Sequence, residues 1–289
     1  MICEQCPRRC GVDREKKLGF CRVGEGFRIA RAALHRGEEP CISGPRGAGA
    51  IFFSGCNLGC LFCQNRKIAH TGAGQEVSPE RLEEIFRELQ EQGASNLDLV
   101  TPTPYTEQLL PLLARAPLPV VWNSSAYERP DELRKLEGLV DVYLPDFKFS
   151  DPELAGRLCR ATDYPQVALE AILEMARQVG PPVRENGILK RGLLIRHLIL
   201  PGEVENSLGV LRLLTNALPP DFYLFSLMSQ YTPPGGLPAM PGHLVRPISR
   251  FEYIRVRNEM LRLGFTHGYS QDLSSATEKE LPAFDGTGV

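Results

Sequence analysis

The sequence lacks any surplus of positive charge: 33 Lys and Arg stand against 35 Asp and Glu, a formal net charge of -2. A chain without a positive field has no general attraction for nucleic acid, which argues against nonspecific nucleic-acid binding. Also missing is any apolar run near the roughly 18 residues that a membrane-spanning helix needs. Met1-Ile2-Cys3-Glu4-Gln5-Cys6 carries no apolar signal-peptide region. A cytoplasmic protein, independent of membranes, is therefore expected. Low-complexity tracts are missing as well. Hydrophobic residues make up 43% and charged residues 24%, ordinary globular proportions that exclude wholesale disorder and fibrous repeats. The length, 289 residues, suits one α/β barrel or two smaller units.

What the chain has in quantity is cysteine. Nine cysteines in a reducing compartment point to metal ligation rather than to a disulfide framework. Cys3, Cys6, Cys10 and Cys21 gather near the N-terminus, Cys56, Cys60 and Cys63 form a second group, and Cys41 and Cys159 stand apart. Two metal sites are expected. Residues 1–48 hold too few apolar side chains for a core of their own, so a cysteine-rich metal-binding module is the expectation there, with the metal standing in for the core. The run Cys3-x2-Cys6-x3-Cys10-x10-Cys21, with Pro7 and Gly11 to turn the backbone, suits tetrahedral zinc or an iron-sulfur cluster, and spacing does not choose between them. Cys41 reads as a small buried hydrophobe or an extra ligand, and Cys159, on a helical stretch, as structural.

From Ala50 onward short apolar runs alternate with amphipathic stretches, the pattern of a parallel sheet with crossover helices. Strands are expected near 50–54, 97–101, 119–123, 139–145, 193–200 and 222–228, and helices near 79–92, 106–115, 130–136, 165–179, 204–217 and 249–263. Ser78-Pro79 makes an N-cap and first-turn pair, and Gly93 and Gly180 stop two helices. Six such units with right-handed crossovers predict an α/β fold, a partial (β/α)6 barrel over 49–265, with reactive groups at the C-terminal ends of the strands. Residues 266–289 show no period and are expected as a C-terminal extension, either a frayed tail or a lid.

Directly after the first expected strand stands Cys56-Asn57-Leu58-Gly59-Cys60-Leu61-Phe62-Cys63. Three thiols in one loop, without an obvious fourth, suggest a site left one ligand short. This C-x3-C-x2-C motif, with Phe62 before its last cysteine, resembles that of the radical S-adenosylmethionine (SAM) enzymes. The longer string from Phe52-Phe53-Ser54-Gly55 to Gln64-Asn65-Arg66 resembles more narrowly the pyruvate formate-lyase activating enzymes and their uncharacterised relatives.

The resemblance implies a [4Fe-4S] cluster on Cys56, Cys60 and Cys63 whose open iron chelates SAM. Reductive cleavage to a 5′-deoxyadenosyl radical and hydrogen abstraction from a substrate would follow. It also implies an electron donor such as flavodoxin or ferredoxin. Asp146 and Lys148 past the fourth strand resemble the Asp-x-Lys element that holds the carboxylate or ribose of the cofactor. Asn123, in Asn123-Ser124-Ser125, lies where the relatives place a polar element beside it, and Arg196 stands ahead of Leu200-Pro201-Gly202 as an arginine does in them.

Two departures are visible. Thr101-Pro102-Thr103-Pro104-Tyr105 replaces the usual Gly-Gly-Glu element, leaving Thr101 and Thr103 to accept from the methionine amine. Gln230-Tyr231 replaces Tyr-His. The leading expectation is a radical SAM enzyme acting on a protein or peptide, as the activating enzymes do; the alternatives are one acting on a small molecule or RNA and a non-catalytic iron-sulfur or zinc electron-transfer protein.

Overall fold

The computed structural model describes residues 2–234, 240–275 and 282–289. The chain runs β1 (Phe27–His35), α1 (Pro40–Ser43), β2 (Ala48–Phe53), α2 (Arg66–Thr71), β3 (Gln75–Val77), α3 (Pro79–Glu91), β4 (Leu97–Val100), α4 (Thr106–Leu113), β5 (Val120–Ser124) and α5 (Pro130–Arg134). It continues β6 (Val142–Pro145), α6 (Pro152–Cys159), α7 (Tyr164–Val179), β7 (Val183–Glu185), β8 (Ile188–Leu198), α8 (Val204–Ala217), β9 (Leu224–Met228), α9 (Arg250–Arg262) and β10 (Gly268–Ser270).

One sheet follows the order β10-β9-β8-β6-β5-β4-β2-β1-β3, with β7 paired to β8 off that path. From β2 through β4, β5, β6, β8 and β9 the neighbours are parallel. These six are the strands expected from the apolar runs, and they are continuous runs because both faces are covered: every residue of β2, β4, β5, β6 and β9 is buried. The helices pack outside, with Leu82, Ile85, Phe86 and Leu89 forming the inner stripe of α3. Ser78 caps that helix by accepting from the Arg81 amide at 3.2 Å.

The count of six strands is corrected by β1, β3, β7 and β10. The largest of these, β1, lies in the segment read as metal-dependent, yet it pairs antiparallel with β2 from Ile29 opposite Phe53 to His35 opposite Ala48. Its Phe27, Ile29, Ala30 and Ala32 are buried. The alternation was masked because the register shifts between Ile29 and Arg31, which places apolar residues side by side.

The C-terminal extension meets both margins of this sheet. Its β10 runs parallel to β9. At the other margin the Ala32 amide donates to the Thr287 carbonyl at 2.9 Å and the Gly286 amide to the Ala30 carbonyl at 3.1 Å, while Phe284 meets Phe52 edge-on at 5.5 Å. Residues 282–289 are thus docked rather than frayed; the rest of the expected lid, 276–281, lies outside the described residues.

Candidate active site

Parallel strands bring their C-terminal ends to one rim. β2 delivers the cysteine loop there through Ser54-Gly55. Gly55 has φ +85°, and a Cβ on it would lie 2.5 Å from the Cys21 carbonyl oxygen, so no larger residue fits. Cys56, Cys60, Phe62 and Cys63 line a cavity of about 450 Å³, within the range of small-ligand sites. Phe62 is wedged between Phe149 and Tyr231 at 6.1 and 6.3 Å.

Burial raises the Cys56 and Cys63 thiols, and the neighbouring Cys60 charge adds to the rise in both. Cys60 is raised well above its ordinary range, first by a hydrogen bond with Cys159 and then by burial. Cys159, set aside in the sequence as a helix cysteine, therefore touches the loop. Three clustered thiols that oppose one another's ionisation are a fitting donor set for iron, which takes up the charge. Among the described residues no three His, Cys, Asp or Glu side chains converge to hold a single metal ion. An iron-sulfur cluster asks for a wider arrangement, because its thiolates bind separate irons.

Deeper in the cavity lies a charged network. Asp146 Oδ2 accepts from Lys148 Nζ at 2.5 Å and its Oδ1 from Arg196 Nε at 2.7 Å. Burial by itself would raise the Asp146 carboxyl, but the two cations outweigh it and hold it below the usual carboxylate range. The same pairing keeps Lys148 charged against its own desolvation. Arg196 also donates to Asn123 Oδ1 at 2.6 Å and to Glu38 Oε2 at 2.8 Å. His197, next along β8, faces away, between the Phe147 carbonyl and Ser207, and burial lowers it to about 4, which leaves it neutral.

Thr101 and Thr103 part company. Thr101 lines the cavity with φ +63°, a strained conformation for a β-branched residue, and its amide donates to the Asn123 carbonyl at 2.8 Å. Thr103 does not line the cavity; its hydroxyl donates to Glu128 at 2.9 Å. Glu128 also accepts from Trp122 and Ser124, tying the ends of β4 and β5 together. Sequence reasoning passed over Glu128 because nothing local marks a buried carboxyl. It also passed over Glu38 and Glu39, which line the cavity from the β1–α1 turn.

Of the N-terminal cysteines, Cys6 and Cys21 are buried and Cys3 and Cys10 partly so. Burial pushes Cys6 up to about 12, and Cys21, Cys10 and Cys3 each add to the rise, so the four lie within electrostatic reach. This segment is clamped to the cysteine loop by Arg8, which donates to the carbonyls of Asn57 at 2.9 Å, Leu58 at 3.2 Å and Cys159 at 2.7 Å, and to that of Arg160. Its guanidinium stacks 4.0 Å over Phe20. Cys41 is fully buried in a small apolar cluster with Ile42, Ala48 and Val121.

A parallel barrel whose first strand feeds a three-cysteine loop into a charged cavity defines a class, and residues 50–214, more than half of the chain, match the Radical SAM superfamily. The chain belongs to that superfamily. The family implies an enzyme carrying a [4Fe-4S] cluster and SAM, which argues against the non-catalytic alternative. The uncharacterized protein MJ0674 of Methanocaldococcus jannaschii is 31% identical over 216 residues, which are 70% of this chain and 58% of that protein. This chain thus spans less than two thirds of that relative. SuiB of Streptococcus suis bound to S-adenosylmethionine is 12% identical with a TM-score of 0.52, over 76% of this chain and 46% of that one, a likeness of fold. Methylornithine synthase (PylB) gives 14% identity and a TM-score of 0.49 over 74% and 68%. Among the described residues no helix is long and apolar enough to cross a membrane.

Proposed function

We propose that this radical SAM enzyme abstracts hydrogen from a small organic substrate held inside the barrel, with Cys56, Cys60 and Cys63 as cluster ligands. The observation that carries the reading is one cavity with three thiols at its rim and the Asp146–Lys148–Arg196 network below them. When bound, the cluster supplies the electron that splits SAM into methionine and the radical that takes hydrogen.

The chain's own residues do the rest. Lys148 offers its ammonium to the cofactor carboxylate or ribose while Asp146 fixes its direction. Asn123 and Thr101 supply polar contacts from the ends of β5 and β4. Phe62 holds the cysteine loop against the barrel wall. Pro282, from the docked tail, closes part of the lining, which favours a compact substrate and keeps water from a reactive intermediate. The test is anaerobic production of 5′-deoxyadenosine by the reduced, reconstituted protein. Absence of cleavage by fully loaded protein would refute the reading.

A second reading, an activating enzyme acting on a polypeptide, is supported by the likeness of Phe52 through Arg66 to that branch. Tyr231 weakens it: its hydroxyl donates to the Leu244 carbonyl at 2.6 Å and so is already engaged. Stimulation of deuterium transfer from substrate to 5′-deoxyadenosine by whole-cell protein, but not by desalted metabolites, would favour it.

The N-terminal cysteines are proposed to bind a second metal centre, and iron-sulfur is favoured over zinc because no three cysteines converge on a single ion among the described residues. Support comes from their mutual electrostatic reach and the Arg8 clamp. Placement in the cytoplasm and a flavodoxin or ferredoxin donor complete the proposal.

A further inference from the structure

The floor of the barrel carries a cluster of buried carboxyl groups that the cofactor does not use. Between β1 and α1 runs Arg36-Gly37-Glu38-Glu39, and the register that sets His35 opposite Ala48 puts this turn at the start of β2, the end opposite the cysteine loop. Five residue steps from Ala48 to Phe53, at about 3.3 Å each, separate the two ends by about 17 Å. Glu38 and Glu39 nevertheless line the same cavity as the thiols.

Four carboxyl groups surround Arg196: Glu38, Glu39, Asp98 and Asp146 all act on it. The lysine and arginine of the lining are Lys148 and Arg196. Asp146 takes both of these cations, and Glu38 shares Arg196. Glu39 is hydrogen-bonded to Ser226, and its Oε2 is buried with no partner among the described residues. Asp98, from β4, is 0% exposed. It lies behind the lining, shares a hydrogen bond with Glu38 and accepts from Asn123 Nδ2 at 3.5 Å. A buried acceptor left unmatched costs about 1–3 kcal/mol. The one on Glu39 lines the cavity, among carboxyls that burial raises and that Arg196 alone does not offset, and marks a place for a positively charged donor. A metal ion is the weaker candidate, because no three ligating side chains converge among the described residues.

We propose that the barrel floor binds the protonated primary amine of the substrate, with Glu39 as its direct acceptor and the Glu38–Asp98 pair beside it. This rests on the hydrogen-abstraction reading of the same cavity and narrows its substrate class to small amines. The amine is held at the floor, and the carbon that loses hydrogen is presented toward the rim where the cofactor lies.

The experiment is equilibrium dialysis of the anaerobically reconstituted full chain with radiolabelled 1,5-diaminopentane, run with and without SAM. Pentane-1,5-diol and glutarate serve as neutral and anionic counterparts. Saturable binding of the diamine and not of the diol or glutarate is expected, and Glu39→Gln should weaken it roughly tenfold or more while SAM affinity holds. Diamine binding no tighter than the diol in the wild-type protein would overturn the inference, and so would equal binding by folded Glu39→Gln. The wild-type comparison stands even where the variant fails to fold. Failure to bind or cleave SAM would refute the broader reading, while the dialysis without SAM still decides the floor.

Discussion

Glu128→Ala removes one carboxyl and strands three donors. The side chain accepts from Ser124 Oγ at 2.6 Å, Trp122 Nε1 at 2.8 Å and Thr103 Oγ1 at 2.9 Å, and the residue is 2% exposed. Unpaired buried donors cost about 1–3 kcal/mol each. The lower end, about 3 kcal/mol for the three, is the expectation, because hydroxyls can turn toward other acceptors. For a chain of 289 residues that corresponds to a fall of about 5 °C in Tm. The same loss frees the ends of β4 and β5, where Thr101 and Asn123 face the cavity, so SAM affinity should fall together with stability. Urea unfolding of the metal-free chain, paired with SAM binding by the loaded enzyme, measures both. A loss below about 1 kcal/mol with unchanged SAM affinity would refute the assignment of Glu128 as the tie between the two strands.

Glu128→Gln supplies the pH test. Burial raises the Glu128 carboxyl in the folded chain, so its contribution is full below the ordinary glutamate range and is lost as pH rises toward the higher folded value. The glutamine variant does not titrate. It should match the wild type in acid and gain on it progressively above about pH 4.5; a difference that stays flat with pH would contradict this.

Single Cys56, Cys60 or Cys63→Ala variants should lose bound iron and sulfide and all SAM cleavage, and undiminished cleavage in the three would sink the cluster assignment. The triple variant should keep whatever Cys3, Cys6, Cys10 and Cys21 bind; elemental analysis then separates zinc from iron with sulfide, and a metal-free variant refutes the second site. Lys148→Ala should leave the iron content intact and weaken SAM binding by about 2 kcal/mol, roughly 30-fold, with Lys190→Ala as the neutral control. Arg8→Ala breaks four carbonyl contacts at once and should release residues 2–26 to limited proteolysis while the barrel stays resistant, so an unchanged cleavage pattern would contradict the clamp.

The sequence by itself determined the parallel half of this fold and the cysteine loop. Runs such as Leu97–Val100 and Leu224–Met228 are mostly apolar, broken by Asp98 and Ser226, because both faces of the sheet are buried, and that burial leaves a local signature. The three cysteines are legible for a similar reason: their ligand geometry fits within eight consecutive residues. Tertiary structure alone decided what depends on distant partners. β1 became a strand because β2 and β3 offer it hydrogen bonds on both sides, against a pattern broken by its bulge. Glu38 and Glu39 came to the barrel floor because β1 runs antiparallel to β2 and returns the chain to the far end. Thr103 turned to Glu128, 25 residues away, and Cys159 reached Cys60 across the sequence gap that α6 closes. No window of neighbouring residues holds such pairings, because they form only when the closing sheet sets the strand ends side by side.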